Sequence, residues 1–379
     1  MKIIHISPSY KPAHIYGGTT LSVALLCEAI ARTGTAIEVL TTTANGKHEL
    51  FREPEKKQMI DGVPVRYFGR ITKDHSHLSP KLLRQLNQTL SKSSNIVLHI
   101  HAWWNLTSVL SCLIAKYNGI PVILSPRGML SNYSSANKNK LIKFILHHTL
   151  GKNLIRYSHL HATTEKERLD ILKITSHSKI TVIANLIPPA LATSAIEPNE
   201  NIFNLLFLSR IEKKKGLEIL FRALSYLNCP WKLTIAGTGR PSYIKNLRKL
   251  SDQLKTSSSI CWKGEVSGAA KYNLMAKSDL LVLFSHNENF ANVVTESLST
   301  GTPVAISDQV GLAPFIKQHD LGWISELEPF AIAGTLKQAF HDLEKRKRIR
   351  KTAPELIKKY FAEAKLVREY LQLYQQARK

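Results

Sequence analysis

Phe203-Asn204-Leu205-Leu206-Phe207-Leu208-Ser209-Arg210-Ile211-Glu212-Lys213-Lys214-Lys215-Gly216 decides the fold. Phe203–Leu208 is an apolar run of strand length that ends in a polar, basic turn, and Gly216–Leu227 then reads as a helix. A buried strand that runs straight into a helix is the building unit of a parallel sheet covered on both faces. The unit recurs downstream. Trp231–Ala236 reads as a strand and Tyr243–Leu254 as a helix; Ile260–Lys263, Asp279–Phe284 and Pro303–Ser307 are further strands, each followed by a helix. From about Pro329 to Lys379 only helices are predicted.

Upstream, the same alternation starts at Lys2–Ser7, followed by the loop Pro8–Gly18 and a helix over about Thr19–Arg32 that Gly34 closes. Strands follow at Ala36–Thr43, Val63–Phe68, Asn95–His101, Pro121–Ser125, Leu160–Thr163 and Lys179–Ile183. Helices are expected around Leu82, Leu86 and Leu90, then at Leu106–Tyr117, Leu141–Leu150 and Glu165–Lys173. Pro188-Pro189 and Pro198-Asn199-Glu200-Asn201 break the pattern with linker chemistry. The expectation is therefore an α/β chain with two Rossmann-like domains, residues 1–190 and 200–360, and a final helix, 361–379, packing back on the first domain. Ligands of such sheets bind beyond the carboxyl ends of the strands, so a cleft between two sheets is the expected site.

At 379 residues and 44% hydrophobic, the chain has material for two cores, which excludes wholesale disorder. Lys and Arg number 52 against 28 Asp and Glu, a net +24 that should draw anions: phosphorylated small molecules, anionic lipid or nucleic acid. The excess is concentrated. No acidic residue occurs between Asp74 and Glu165, and a second basic run, Lys345-Arg346-Lys347-Arg348-Ile349-Arg350-Lys351, lies near the C-terminus. The four cysteines, Cys27, Cys112, Cys229 and Cys261, are far apart without a C-x-x-C, which argues against a zinc ribbon or disulfide framework and for reduced, buried thiols in a cytoplasmic protein. No apolar run approaches the roughly 18 residues of a membrane span, and the N-terminus reads as a strand rather than a signal peptide.

Three loops have the composition of a binding site. Tyr16-Gly17-Gly18-Thr19 follows the first strand and opens a helix, which lets backbone N–H groups approach an anion. Arg210 and Lys215 stand at the end of the Phe203–Leu208 strand, where two fixed cations and a helix N-terminus suit a diphosphate, whereas Lys213 and Lys214 read as a basic surface turn. In Ser285-His286-Asn287-Glu288-Asn289-Phe290-Ala291-Asn292-Val293-Val294-Thr295-Glu296, Glu288 falls in the loop and Glu296, eight residues on, about a turn into the helix. Carboxylates accept paired hydrogen bonds from vicinal hydroxyls, so a sugar or ribose is their natural target.

Taken together, these elements resemble the GT-B retaining glycosyltransferases of family 4, over essentially the whole chain. The resemblance rests on the Gly17-Gly18 loop, His99-Ile100-His101, Ser209-Arg210 with Lys215-Gly216, Ile235-Ala236-Gly237-Thr238-Gly239, Trp262-Lys263-Gly264-Glu265-Val266, and the E-x7-E pair Glu288 and Glu296 continued by Ser299-Thr300-Gly301-Thr302-Pro303-Val304. Ser125-Pro126-Arg127-Gly128-Met129-Leu130 is similar to a subgroup that builds bacterial surface polysaccharides. The resemblance implies two domains facing across a cleft, with a hexosyl group passing from a UDP- or GDP-sugar to a lipid-linked or oligosaccharide acceptor. It gives Arg210 and Lys215 to the donor diphosphate, Glu288 to the transferred sugar and Glu296 to the ribose. Backbone around Phe290, Ala291, Asn292 and Val293 would meet sugar and phosphates, with Val266 at the base and Gly17 and Gly18 also on the donor. Many members have Gly where this chain has Ala291, and a His where Arg127 stands, so Arg127 joins Glu288, Arg210 and Lys215 as a candidate catalytic group.

No Asp-x-Asp occurs, so neither a bridging metal nor another cofactor is expected. The acceptor side is assigned to the acid-free segment, with His101, Arg127 and Lys143 as candidates. There the helix Leu141–Leu150, apolar with Lys138, Lys140, Lys143 and Lys152 beside it, suits peripheral attachment to an anionic membrane on the cytoplasmic side. Three other classes are weighed. A Rossmann oxidoreductase is disfavoured because Gly237-Thr238-Gly239-Arg240-Pro241-Ser242 lacks the third glycine and has a proline inside. A nucleotide-sugar epimerase of the same architecture would turn over without acceptor. A basic nucleic-acid-binding protein is disfavoured by the absence of helix-turn-helix, RNP or zinc motifs.

Overall fold

The computed structural model describes residues 1–74, 76–131, 147–175, 179–188 and 201–378. The chain divides into two compact units, Met1–Leu186 with Glu363–Lys379, and Ile187–Ala362. Each is a largely parallel α/β sheet with helices.

In chain order, the strands of the first unit are β1 (Lys2–Ser7), β2 (Ala36–Thr42), β3 (Ala44–Asn45), β4 (His48–Glu49), β5 (Lys57–Ile60), β6 (Val63–Phe68), β7 (Ile96–His101), β8 (Val122–Ser125), β9 (His159–Ala162) and β10 (Ile180–Val182). The main sheet runs β10-β9-β8-β7-β1-β2-β6-β5, parallel except for β5, while β3 and β4 form a small hairpin. Central β7 is buried along its whole length, as a strand covered on both faces must be. Its two histidines are therefore interior groups: His5 of β1 lies beside His99, and His101 beside Ser125.

Local chemistry starts the helices. Ser79, Asn105 and Thr164 cap Pro80–Leu90, Leu106–Tyr117 and Glu165–Leu172 by accepting from the N–H groups of Leu82, Ser108 and Glu167. The last helix, Glu363–Gln376, buries Leu366, Val367, Tyr370, Leu373 and Tyr374 at three- and four-residue spacing, one continuous face. Arg32 pairs with Glu363 at 2.7 Å where this helix begins. The β5 strand was not expected, because Lys57–Ile60 alternates only between exposed and half-buried positions. The signal for it was the turn: Asp61 and Gly62, both at positive φ, are the Asp-Gly pair of a tight hairpin.

The second unit contains β11 (Phe203–Leu208), β12 (Trp231–Ala236), β13 (Ile260–Gly264), β14 (Leu280–Leu283), β15 (Val304–Ser307) and β16 (Gly322–Ser325) in the parallel order β13-β12-β11-β14-β15-β16. The C-terminal basic run is largely paired within this unit. Arg346 is buried and reaches Asp279 at 3.4 Å, Arg350 donates to the carbonyls of Ala276 and Ser278, and Lys345 and Arg348 both pair with Asp320. These contacts tie the helix Leu343–Tyr360 to the sheet. Cys27 and Cys112 are buried thiols as expected, but Cys229, just before β12, is half-buried, and Cys261 is exposed because it lies on the edge strand β13.

Candidate functional site

In the second unit the loops after β11, β12, β13 and β14 are laced together at the carboxyl ends of the strands. Ile211 N–H donates to Thr238 O at 2.7 Å, Gly237 N–H to Gly264 O at 2.6 Å, and His286 N–H to Lys214 O at 2.9 Å. The approach is so close that glycine is required. A Cβ on Gly216 would stand 2.0 Å from the Phe284 carbonyl oxygen, and one on Gly237 1.9 Å from that of Ser209.

This lacing sets Lys215 against Glu288: the ammonium donates to Oε1 of the carboxylate, and both side chains are largely buried. Burial alone would push the Glu288 carboxyl up, but Lys215, Lys214 and Arg210 hold it below the ordinary carboxylate value. Arg210 itself is half-exposed and rests on Glu212 at 2.9 Å. Lys214 is not the free surface lysine expected from its run. It is half-buried, and desolvation with the neighbouring cations lowers its pKa while Glu288 opposes the shift. The Glu288 backbone is also anchored, its N–H donating to Gln309 O at 3.2 Å and its carbonyl accepting from Gly311 N–H at 2.9 Å.

Eight residues on, Glu296 is buried in the helix Asn292–Ser299 and accepts from Lys271 at 2.9 Å. Lys271 also lies 4.8 Å over the Tyr272 ring. That helix has no side-chain cap and no acidic residue in its first turn, and Ala291 before it adopts φ 64°, ψ 70°. Left-handed backbone of this kind is cheap only for glycine, so Ala291 keeps the loop's conformation at a local cost. Phe290 is buried edge-on against Phe361. Val266, just beyond β13, is half-buried.

In the first unit, Gly17 (φ 67°) precedes the helix Gly18–Arg32, whose first turn has no side-chain cap and no acid. Beyond β8, Arg127 stands at φ 56° with its guanidinium clamped: one terminal nitrogen donates to Asn185 Oδ1, the other to His101 Nδ1 at 3.3 Å. Its Nε is buried without a partner among the described residues, while its side chain also hydrogen-bonds to Tyr370. Behind it, His5, His99, His101 and His161 are wholly buried, and burial lowers all four pKa values with Arg127 adding to the effect, to about 3 for His5 and His161. His5, His99 and His101 bring nitrogens within 4.8 Å of one another, a spacing a cation could use. The Arg127 guanidinium, 3.3 Å from His101, sets the local field against one.

Family models match both halves: the "Glycosyl transferase 4-like domain" over residues 17–185 and "Glycosyl transferases group 1" over residues 193–356. The D-inositol 3-phosphate glycosyltransferase of Xylanimonas cellulosilytica is 22% identical over 377 residues, covering 92% of this chain and 89% of the relative. The glycogen synthase of Mycobacterium tuberculosis is 25% identical over 352 residues, covering 85% and 81%. Anabaena HepE, solved with UDP and glucose, superposes with TM-score 0.74 at 16% identity over 99% of this chain and 100% of that one. WaaG, a glycosyltransferase of lipopolysaccharide biosynthesis, gives TM-score 0.70 at 15% identity over 96% and 98%.

The chain belongs to the GT-B glycosyltransferases of the family 4 type.

Within this glycosyltransferase, Arg210, Lys215, Glu288, Phe290, Ala291, Asn292, Val293, Glu296 and Val266 all fall in the second unit, whereas Gly17, Gly18, His101 and Arg127 belong to the first. Lys215 and Glu288 are in direct contact; Glu296 instead has its own partner, Lys271. His101 is fully buried with both ring nitrogens in hydrogen bonds, so it stands behind Arg127 rather than at a surface. Lys143 and the first part of the Leu141–Leu150 helix, with Lys138 and Lys140, lie outside the described residues. Nothing in the sequence pointed to Lys214 beside Glu288 or Lys271 on Glu296, since neither lies in a loop motif with its glutamate. For the histidines a signal did exist: three apolar strands each carry a His, at His5, His99 with His101, and His161.

Proposed function

We propose that this glycosyltransferase retains anomeric configuration and moves a hexosyl group from a UDP- or GDP-linked sugar to a lipid-linked or oligosaccharide acceptor in bacterial surface polysaccharide synthesis. The observation that carries the reading is the Lys215–Glu288 pair, with Lys214 and Arg210 in its field, at the carboxyl ends of a parallel sheet. HepE, of the same fold, is named as a complex with UDP and glucose, and WaaG as acting in lipopolysaccharide biosynthesis; both names are consistent with this donor and this pathway class.

In this reading the bond between C1 of the sugar and the β-phosphate oxygen breaks as the acceptor hydroxyl bonds to C1. The acceptor's proton leaves to the departing phosphate on the same face. Negative charge grows on the diphosphate, where Arg210 and Lys215 supply preorganised positive potential. Glu288 holds the sugar whose ring takes on oxocarbenium character, Glu296 holds the ribose, and N–H groups of Phe290–Val293 meet sugar and phosphate. Val266 backbone receives the base, Gly17 and Gly18 are also assigned to the donor, and Arg127 serves the acceptor. No cofactor is required, and with no Asp-x-Asp in the sequence the diphosphate charge is assigned to side chains rather than a metal.

A thermal-shift panel of nucleotide sugars tests the donor: the true one raises the melting temperature, by about 2.7 kcal/mol of stabilisation at a hundredfold excess over its Kd. If no UDP- or GDP-sugar does so, the donor assignment fails. Proton NMR of the product's anomeric signal decides retention, and transfer undiminished by excess chelator is the outcome expected for a metal-free site. No helix among the described residues is long and apolar enough to cross a membrane. Peripheral attachment through the acid-free segment predicts flotation with anionic vesicles; equal recovery on neutral ones rejects it.

A further inference from the structure

The four buried histidines form two hydrogen-bonded chains whose direction can be worked out proton by proton. Burial beside the Arg127 guanidinium keeps every ring neutral, so each carries one N–H. The first chain ends on a carbonyl. His161 Nε2 lies 2.9 Å from Ile183 O, which only accepts, so His161 carries its proton on Nε2 and its Nδ1 is bare. Ser125 Oγ, 2.6 Å away, must then donate to that Nδ1. Its single proton is used, so its oxygen accepts from His99 Nε2–H at 2.7 Å. This leaves His99 Nδ1 bare, and the Tyr374 hydroxyl, 2.8 Å away, donates to it. Tyr370 is different: its hydroxyl lies 3.1 Å from the protonated His161 Nε2, where it shares that proton as an acceptor, and its other hydrogen-bond partner is the Arg127 side chain.

The second chain starts at Arg127, which only donates. His101 Nδ1 accepts, His101 Nε2–H donates to His5 Nδ1 at 2.8 Å, and His5 Nε2–H ends the chain buried and without a partner among the described residues.

The chains are adjacent rungs of one structure. His101 follows His99 by two residues, Arg127 follows Ser125 by two, and Asn185 follows Ile183 by two. Each member of the Arg127 clamp is thus borne by a strand end that the first chain fixes one step earlier. The rings of His99 and His101 are 4.1 Å apart, in direct contact.

We propose that the Tyr374 hydroxyl is a positioning group: by donating to His99 it sets the direction of the whole Tyr374–His99–Ser125–His161 chain and so holds Arg127 in place. The C-terminal helix is then a working part of the first unit's site as well as its cover. Without the hydroxyl, His99 is free to carry its proton on Nδ1. Ser125 would turn to the bared Nε2, His161 Nδ1 would lose its donor, and the strand ends that carry Arg127 and Asn185 would lose a shared tether. The inference rests on the reading of Arg127 as an acceptor-side group.

Tyr374→Phe, Leu373→Ala and Arg127→Ala, each in the full chain, test it. Tyr374→Phe should lower acceptor kcat/KM by roughly tenfold, with the nucleotide-sugar Kd unchanged. Leu373→Ala, which trims the same buried helix face without removing a hydrogen bond, should stay within about twofold. A role in helix packing alone would affect the two alike. Long-range nitrogen-15 NMR of histidine-labelled wild-type protein should show His99 and His161 as Nε2–H tautomers, a readout needing neither variant to fold. Wild-type transfer by Arg127→Ala overturns the reading of Arg127. If Arg127→Ala is impaired, equal kinetics of Tyr374→Phe and wild type, or His99 protonated on Nδ1, overturns this inference alone.

Discussion

Glu288 is charged where burial disfavours charge, and the cations around it reverse the balance. A buried carboxylate that keeps its charge because Lys215, Lys214 and Arg210 surround it is set up to exchange one of those contacts for a ligand. Glu288→Gln should lower kcat by about 10²–10³-fold with circular dichroism unchanged. Its folded pKa lies below the unfolded value, so the carboxylate contributes stability that is present above the unfolded pKa and lost as pH falls through the folded one. The stability gap between wild type and Glu288→Gln should therefore narrow between neutral and acidic pH in urea titrations; a gap independent of pH would show the pair to be electrostatically idle. Ala291 makes the opposite trade. Its φ of 64° suits glycine, so Ala291→Gly should raise stability by up to about 1 kcal/mol in thermal unfolding, and a β-branched residue there should lower it.

Among elements, the laced loops of the second unit depend on absent side chains. Gly237→Ala places a Cβ 1.9 Å from a backbone oxygen at φ 148°, so the β11 and β12 loops must separate. A loss of several kcal/mol in urea unfolding, together with weakened nucleotide binding, is the expected result. In the first unit the histidines face the Arg127 guanidinium, each other, and the Tyr370 and Tyr374 phenols, with no carboxylate bonded to any ring among the described residues. Their folded pKa values lie below the unfolded value, about 3 for His5 and His161, so the unfolded chain binds more protons as pH falls from about 6.5 to 3. Stability of this unit should fall over that window by up to about 1.4 kcal/mol per pH unit for each histidine. His161→Gln should flatten the slope measured by denaturant titration; an unaltered slope would mean the ring is already charged.

At the scale of the whole chain, the two units differ in how they are assembled. The second is one contiguous segment, whereas the first needs residues 363–379 to cover its histidine face. Excised 187–362 should unfold cooperatively and still be stabilised by the donor nucleotide. Excised 1–186 should expose apolar surface, bind a hydrophobic dye, and recover order when 363–379 is supplied.

Alternation of strands and helices is encoded locally, in apolar runs, glycines and caps, so the α/β class and the central strands of both sheets could be read directly from the chain, whereas the edge strands β5 and β16 could not. Glu288 and Glu296 were readable for the same reason, since one loop and one helical turn separate them. Other features could not be found that way. Lys271 meets Glu296 from another helix, Arg346 of an apparently free basic run is buried on Asp279, and Tyr374 finds His99 across 275 positions. A side chain's charge, tautomer and partner depend on which distant groups exclude water around it, and that is fixed only when the sheets are closed by their helices.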